Sequence, residues 1–159
     1  GNYIGVRFGY QNGPLNAAIA YGQTKLAAIG NYDQGNIGAS YNFGPATLMG
    51  QYDQEKVGAG GVLGIQKNEI YMLGVDVPVG PGDIVASYAH DKSDNNAMKA
   101  NQYVVGYVYN LSKRTAIYGT YAHISNSGTG LAFTGGGGTS ALNPSGSLNG
   151  IDIGLRTSF

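Results

Sequence analysis

The two histidines are the side chains around which a catalytic site could be built. His90 is followed directly by Asp91, and His123 is followed closely by Ser125 and Ser127. A hydrolase of the Ser/His/Asp type would need such groups to converge in space. Alternation along an extended strand instead sends His90 and Asp91 to opposite faces. The sequence therefore predicts no catalytic residues and no enzyme.

Two further segments carry incomplete binding motifs. Residues 91 to 96 begin like a calcium loop but lack the glycine at its sixth position and the glutamate at its twelfth, which leaves at most a weak surface ion site. The glycine run 135 to 138 lacks the following Lys-Ser or Lys-Thr of a phosphate cradle, so we interpret it as an external loop. With no cysteine for a thiolate site, the sequence predicts neither a metal nor a cofactor.

Composition limits the kinds of partner and of membrane crossing. Nine Lys and Arg balance nine Asp and Glu, and this neutrality argues against nucleic acid as a partner. Mean hydropathy is −0.14 and no run of about 18 apolar residues occurs, so a membrane-spanning helix is not predicted. The content of 28 Gly and 13 Tyr instead favours short strands, tight turns and interfacial aromatic residues. If the chain crosses a membrane, it must cross as strands.

Alternating side chains predict about nine strands separated by two kinds of connection. The last segment illustrates the pattern, because apolar residues at 151, 153, 155 and 159 alternate with polar or small ones. The predicted strands lie near 3–10, 15–24, 35–43, 46–56, 67–78, 83–92, 101–111, 115–125 and 150–159. Short turns at 11–14, 44–45, 79–82 and 112–114 alternate with longer loops near 25–34, 57–66, 93–100 and 126–149. This arrangement predicts an all-β, antiparallel transmembrane β-barrel, with residues 1–159 forming part of one domain.

The polar face of each predicted strand should meet the water-filled interior of such a barrel. The candidate pore-lining residues are Arg7, Gln51, Asp53, Glu55, Asp76, Asp91 and Arg156. Their positive and negative charges nearly cancel, and each could equally belong to a network within the wall. The eighth strand is ambiguous because Tyr118 and Tyr121 fall on opposite faces.

Aromatic residues sort by height into two predicted belts at the membrane interfaces. One belt lies near the short turns and contains Phe8, Tyr10, Tyr41, Phe43, Tyr107, Tyr109 and Phe159. The other lies about six residues up each rising strand and contains Tyr21, Tyr52, Tyr88 and Tyr121, with Tyr71 and Tyr103 at matching heights. Tyr and Phe take such positions at the two edges of a hydrocarbon slab. A soluble β-sandwich is the weaker alternative, because it does not need all its long loops on one side.

The number of strands and four short motifs bear on the identity of the barrel. Single-chain barrels have an even number of strands, so nine means either a miscount by one or the C-terminal part of a longer barrel, which we favour. Residues 38–44, 71–80, 106–115 and 154–159 resemble Gram-negative general porins of the β-proteobacterial and neisserial type. That resemblance implies a 16-stranded barrel in the bacterial outer membrane, assembled as a homotrimer among outer-membrane lipids. It also implies recognition by the barrel-assembly machinery through the terminal strand ending in Phe159.

The predicted function is a passive channel for ions and small hydrophilic solutes. Many inward positions are Gly, Ala, Ser or Asn, which leave space in the interior. The alternative is a structural or adhesive outer-membrane barrel with a plugged lumen and working external loops, which would fill its interior with bulky side chains.

Overall fold

The computed structural model describes residues 2–26, 30–58, 66–94, 97–130, 132–133, 139–140 and 145–158. Phe159, the glycine run 135–138, and Asn95 and Asn96 of the incomplete calcium motif lie outside these residues. The strands are β1 (Tyr3–Asn12), β2 (Leu15–Leu26), β3 (Gly30–Asn42), β4 (Thr47–Val57), β5 (Lys67–Val79), β6 (Gly82–Ser93), β7 (Lys99–Asn110), β8 (Thr115–Asn126), β9 (Ala132–Phe133), β10 (Thr139–Ser140) and β11 (Ser147–Thr157).

Nine long strands form one antiparallel sheet in the order β1-β2-β3-β4-β5-β6-β7-β8-β11. Each strand pairs with its neighbour in sequence, apart from the small β9-β10 ladder between β8 and β11. The long strands contain 10 to 13 residues, which suits tilted strands that cross a bilayer. Within the described residues, β1 and β11 are the edges of this sheet. The nine predicted strands are thus confirmed, and within the described part of the chain they do not close into a barrel.

Gly-Pro pairs make three of the short turns. Gly13 (φ 54°) and Gly80 (φ 62°) each open a two-residue loop that ends in proline, so that Asn12 pairs with Leu15 and Val79 with Gly82. Positive φ at the first loop position suits a type II′ hairpin, which matches the twist of the flanking strands. Gly44 also has positive φ, and its N–H donates to Asn42 Oδ1 over 2.7 Å.

One predicted long loop is wrong, and another contains additional structure. The loop predicted at 25–34 is largely strand, because β3 begins at Gly30 and Leu26 pairs with Gly30. Residues 30 to 36 contain few apolar side chains. Alternation of apolar residues therefore could not predict that the strand continues beyond its apolar part. The predicted loop at 126–149 contains β9 and β10, and β11 begins at Ser147.

The sheet has two distinct faces and almost no conventional core. Residues directly opposite in an antiparallel ladder share a face, so the register assigns each side chain to one side. Large apolar side chains cover one face of the sheet, where Leu73 is 64% and Ile153 75% exposed. We call this the convex face and the opposite one the concave face. The buried apolar side chains in the described part of the chain are Ala100, Ala116, Ile124 and Ala132. Among the described residues no helix is long and apolar enough to cross a bilayer.

Candidate functional site

The concave face of the sheet forms a broad groove with a volume of about 540 Å³. Seven consecutive strands, β1 to β7, contribute to its lining. Most of the contributed side chains are small or polar, including Asn16, Ala18, Asn36, Gly38 and Ser40. Such side chains leave open space along the middle of this face.

All seven predicted pore-lining residues share the concave face. Arg7 and Gln51 line the groove directly, and Gln51 Nε2 donates to Asp53 Oδ2. Glu55 lies on the same side of β4 as these residues and accepts from Gln34 Nε2 over 3.4 Å. The register places the remaining three, Asp76, Asp91 and Arg156, on this face as well.

Two carboxylates on the concave face were missed from the sequence. Asp83 lies opposite Val108 and accepts from Asn110 Nδ2 over 3.2 Å. Asp152 lies opposite Thr120 on β11. In the strands described, this face carries two arginines, Arg7 and Arg156, and the carboxylates Asp53, Glu55, Asp76, Asp83, Asp91 and Asp152. The near balance of charge expected from the sequence therefore does not hold, and this face is acidic.

Tyrosines lie flat on the concave face where glycines make space. Tyr3 crosses both Gly5 and Gly22, and a Cβ at either glycine would lie within 2.5 Å of its hydroxyl. Tyr118 covers Gly154 in the same way. The ambiguity of β8 is thereby resolved, because Tyr118 is concave while Tyr121, on the opposite parity of the same strand, is convex.

The histidines do not form a catalytic arrangement within the described residues. His90 Nδ1 lies 2.8 Å from Asn101 Oδ1, and His123 Nδ1 lies 2.7 Å from Asn149 Oδ1, both on the convex face. Asp91 lies on the other face, where its Oδ1 atom is buried with no hydrogen-bond partner in the described part of the chain. No group of three or more His, Cys, Asp or Glu side chains in that part could hold a metal ion.

Convex aromatic residues form the two predicted rows at different heights. Near the short turns, ring centroids are 4.5 Å apart for Tyr41 and Phe43 and 6.4 Å apart for Tyr107 and Tyr109. Nearer the other end, they are 4.9 Å apart for Tyr52 and Tyr71 and 5.1 Å apart for Tyr88 and Tyr103. The register also puts Phe8, Tyr10, Tyr21 and Tyr121 on this face. Apolar side chains such as Leu73 and Val105 fill the band between the rows.

A hydrogen-bonded triad recurs at the row of tyrosines farther from the short turns, which we call the upper row. The sequence analysis did not predict this triad. In each of four strand pairs, a tyrosine and the side chain two residues later contact one acceptor on the neighbouring strand. The triads are Tyr21-Gln23-Asp33, Tyr52-Gln54-Glu69, Tyr88-His90-Asn101 and Tyr121-His123-Asn149. The repeated Tyr-x-(Gln/His) at 21, 52, 88 and 121 is a signal that the sequence alone contains. The acceptor could be assigned only once the register was known.

Comparison with known proteins identifies the family. The model of the Gram-negative porin family matches residues 1–129. Outer membrane porin protein 32 of Delftia acidovorans is 40% identical over 100% of this chain and 47% of its own length. An outer membrane porin protein of Bordetella pertussis is 32% identical over 71% of this chain and 38% of its own length. The solved anion-selective porin from Comamonas acidovorans superimposes with a TM-score of 0.82 at 34% identity, covering 99% of this chain and 49% of that one.

The chain belongs to the Gram-negative porin family and is an outer-membrane protein. The family and the relatives named above are porins, which are not enzymes as a class. The chain spans about half the length, or less, of the curated relatives it matches.

Proposed function

We propose that the nine-stranded sheet is part of the wall of a closed, 16-stranded porin barrel. Residues 1–159 would be the C-terminal portion of that single domain. Support comes from the outer sides of β1 and β11, which have no partner strand among the described residues, and from the solved porin, of which this chain covers 49%. Closing the sheet would pair both edges and remove the exposed backbone groups that a bilayer does not tolerate.

The proposed activity is passive diffusion of ions and small hydrophilic solutes through the barrel. The observation that supports this activity most strongly is the concave groove, which spans seven strands and is lined mostly by small and polar side chains. Filtering would then depend on the width of the pore and on the charge of its wall. A plugged structural or adhesive barrel is less favoured, because its interior should be filled by bulky or interlocking side chains.

The acidic wall gives this part of the channel a preference for cations. Two arginines oppose six carboxylates on the concave face of the described strands, namely Asp53, Glu55, Asp76, Asp83, Asp91 and Asp152. Rings of Asp and Glu favour cations in other pores. The solved relative is named for anion selectivity, so an anion-selective channel here would need basic groups from outside this chain.

The proposal is tested by measuring the reversal potential of the purified protein in planar bilayers under a KCl gradient. The variant Asp53→Asn with Glu55→Gln removes two charges from the concave face, and we expect the potential to move toward that of chloride. The matched control Asp33→Asn with Glu69→Gln removes two charges from the convex face and should leave the potential unchanged. No ionic current, or an equal shift in both variants, would contradict the proposed channel wall.

Three partners complete the proposal. Outer-membrane lipids would contact the convex face, where Ile151, Ile153 and Leu155 of β11 are among the most exposed side chains. That alternating terminal strand would be the segment which the barrel-assembly machinery recognises, together with Phe159. The assembled protein would be a homotrimer, which cross-linking followed by gel electrophoresis would detect.

A further inference from the structure

Five lysines gather at one end of the convex face, above the upper row of tyrosines. They are Lys25, Lys56, Lys67, Lys92 and Lys99, and we call them the lysine belt. The strands β2, β4 and β6 rise, that is, they run away from the short turns. On each of them a lysine stands four residues after the tyrosine of a triad, giving Tyr-x-(Gln/His)-x-Lys at 21, 52 and 88. On the descending strands β5 and β7, the order is reversed, from Lys67 to Tyr71 and from Lys99 to Tyr103. The same pattern thus recurs on five adjacent or nearly adjacent strands.

The register places lysines of this belt directly opposite one another. Lys56 pairs with Lys67 across β4 and β5, and Lys92 pairs with Lys99 across β6 and β7. Like charges directly opposite in an antiparallel pair are destabilising. Two such pairs on neighbouring hairpins point to an anionic group outside the chain that compensates them.

Carboxylates on the same end of the convex face are too few and already engaged. Lys67 Nζ lies 3.0 Å from Glu69 Oε1, which also accepts from the hydroxyl of Tyr52 over 2.6 Å. Glu69 also lies directly opposite Lys92 across β5 and β6. Asp33 lies opposite Lys56, but its Oδ1 accepts from Tyr21 and Gln23 at 2.8 and 2.7 Å. In its row of the ladder each opposed lysine pair therefore has a single carboxylate beside it, and that carboxylate has other partners. In the described strands, five lysines therefore meet two carboxylates at this end of the face, Asp33 and Glu69.

The height of the belt suits the headgroup layer. Four residues span about 13 Å along a strand. With a tilt of about 40°, the lysines then lie roughly 10 Å above the tyrosines along the bilayer normal. Tyr marks the edge of the hydrocarbon region, so the ammonium groups reach the layer that contains lipid phosphates. This end is opposite the short Gly-Pro turns, which places it at the external surface in the orientation of the proposed barrel.

We propose that the lysine belt binds the phosphorylated headgroup of an outer-leaflet glycolipid, with its strongest site at the paired lysines of β4 to β7. The ammonium groups contact the sugar phosphates as point charges, while the acyl chains lie on the apolar band below the tyrosines. The proposal rests on the barrel given under the proposed function, oriented with its short turns on the periplasmic side and its longer connections on the external side, and does not depend on whether the pore conducts.

Native mass spectrometry of the whole protein in detergent tests this site with bisphosphorylated lipid A as the probe. Lys92→Gln with Lys99→Gln removes one opposed pair, and we expect about 30-fold weaker binding, from two surface charges at about 1 kcal/mol each. Lys113→Gln with Arg114→Gln removes two positive charges from the turn between β7 and β8 and should bind lipid A unchanged. Lys92→Arg with Lys99→Arg should restore binding and shows that a folded pair of cations is sufficient.

Three results would overturn the proposal. The first is equal binding by the Lys92/Lys99 and Lys113/Arg114 variants, with a heat-dependent gel shift establishing that both are folded. The second is equal affinity for lipid A from which both phosphates have been removed, since apolar contact would then explain the binding. The third is displacement of lipid A by millimolar inorganic phosphate alone, which would identify the belt as a site for the free anion. A failure of the channel experiment would leave all of these readouts unaffected.

Discussion

Two adjacent valines on β7 point to opposite faces of the sheet. Placing an arginine at each in turn tests which face contacts lipid and which contacts water. Val105 lies on the convex face with 51% of its surface exposed, while Val104 lines the concave groove. Val105 is midway between the two rows, two residues from Tyr103 on one side and two from Tyr107 on the other, or about 7 Å along the strand in each direction. It therefore lies well inside the apolar band, where an arginine on the lipid face of a barrel costs about 2–4 kcal/mol.

Val105→Arg should lower the free energy of unfolding by about 2–3 kcal/mol, because the guanidinium would be placed in hydrocarbon. Val104→Arg should change it by less than about 1 kcal/mol, because its neighbours in the ladder, Ser87 and Ala122, are small and the groove is open to water. The assay is reversible guanidinium unfolding of the protein in phospholipid vesicles, followed by the gel mobility of the folded form. Equal losses in the two variants, or a larger loss for Val104→Arg, would refute the assignment of lipid to the convex face.

Three further substitutions test local packing and hydrogen bonding in the same unfolding assay. Gly106→Ala should cost about 1–3 kcal/mol, since its Cβ would lie 2.8 Å from the carbonyl oxygen of Gly119, whereas Gly119→Ala meets open space and should change little. Gly80→Ala should cost about 1–2 kcal/mol because its φ of 62° is strained for a residue with a Cβ, and a neutral result would contradict the turn geometry. Asn101→Ala should cost about 1 kcal/mol in the wild type and much less in Tyr88→Phe, and additivity of the two changes would contradict the triad.

Period-two alternation is sufficient to predict the strands and their faces wherever apolar and polar residues alternate strongly. In β7, for example, Tyr103, Val105, Tyr107 and Tyr109 are convex as predicted. The prediction is weakest where alternation stops at the hydrocarbon edge. Gly30 to Asn36 of β3 are mostly polar or small, so alternation predicts a strand that begins about five residues too late. In that region hydrogen bonding of the ladder, and not burial of apolar surface, sets the length of the strand.

Features that depend on two strands at once were not accessible from the sequence. The opposition of Lys56 to Lys67 and of Lys92 to Lys99 follows from the register, which is fixed by the number of residues on each side of a connection. The triad acceptors are equally dependent on register, since Asp33, Glu69, Asn101 and Asn149 share no sequence motif. Asp83 and Asp152, in contrast, could have been assigned to the concave face by continuing the alternation of their own strands.

The most direct test of the account asks whether the concave face lines a water-filled channel. The chain contains no cysteine, so single cysteines can be placed at adjacent positions of β3. Asn36 lines the groove and Ile37 is 52% exposed on the convex face. We predict that a negatively charged, water-soluble thiol reagent changes the single-channel conductance of Asn36→Cys and leaves that of Ile37→Cys unaltered. A change confined to Ile37→Cys, or no response at Asn36→Cys despite complete labelling, would contradict the assignment of the channel to the concave face.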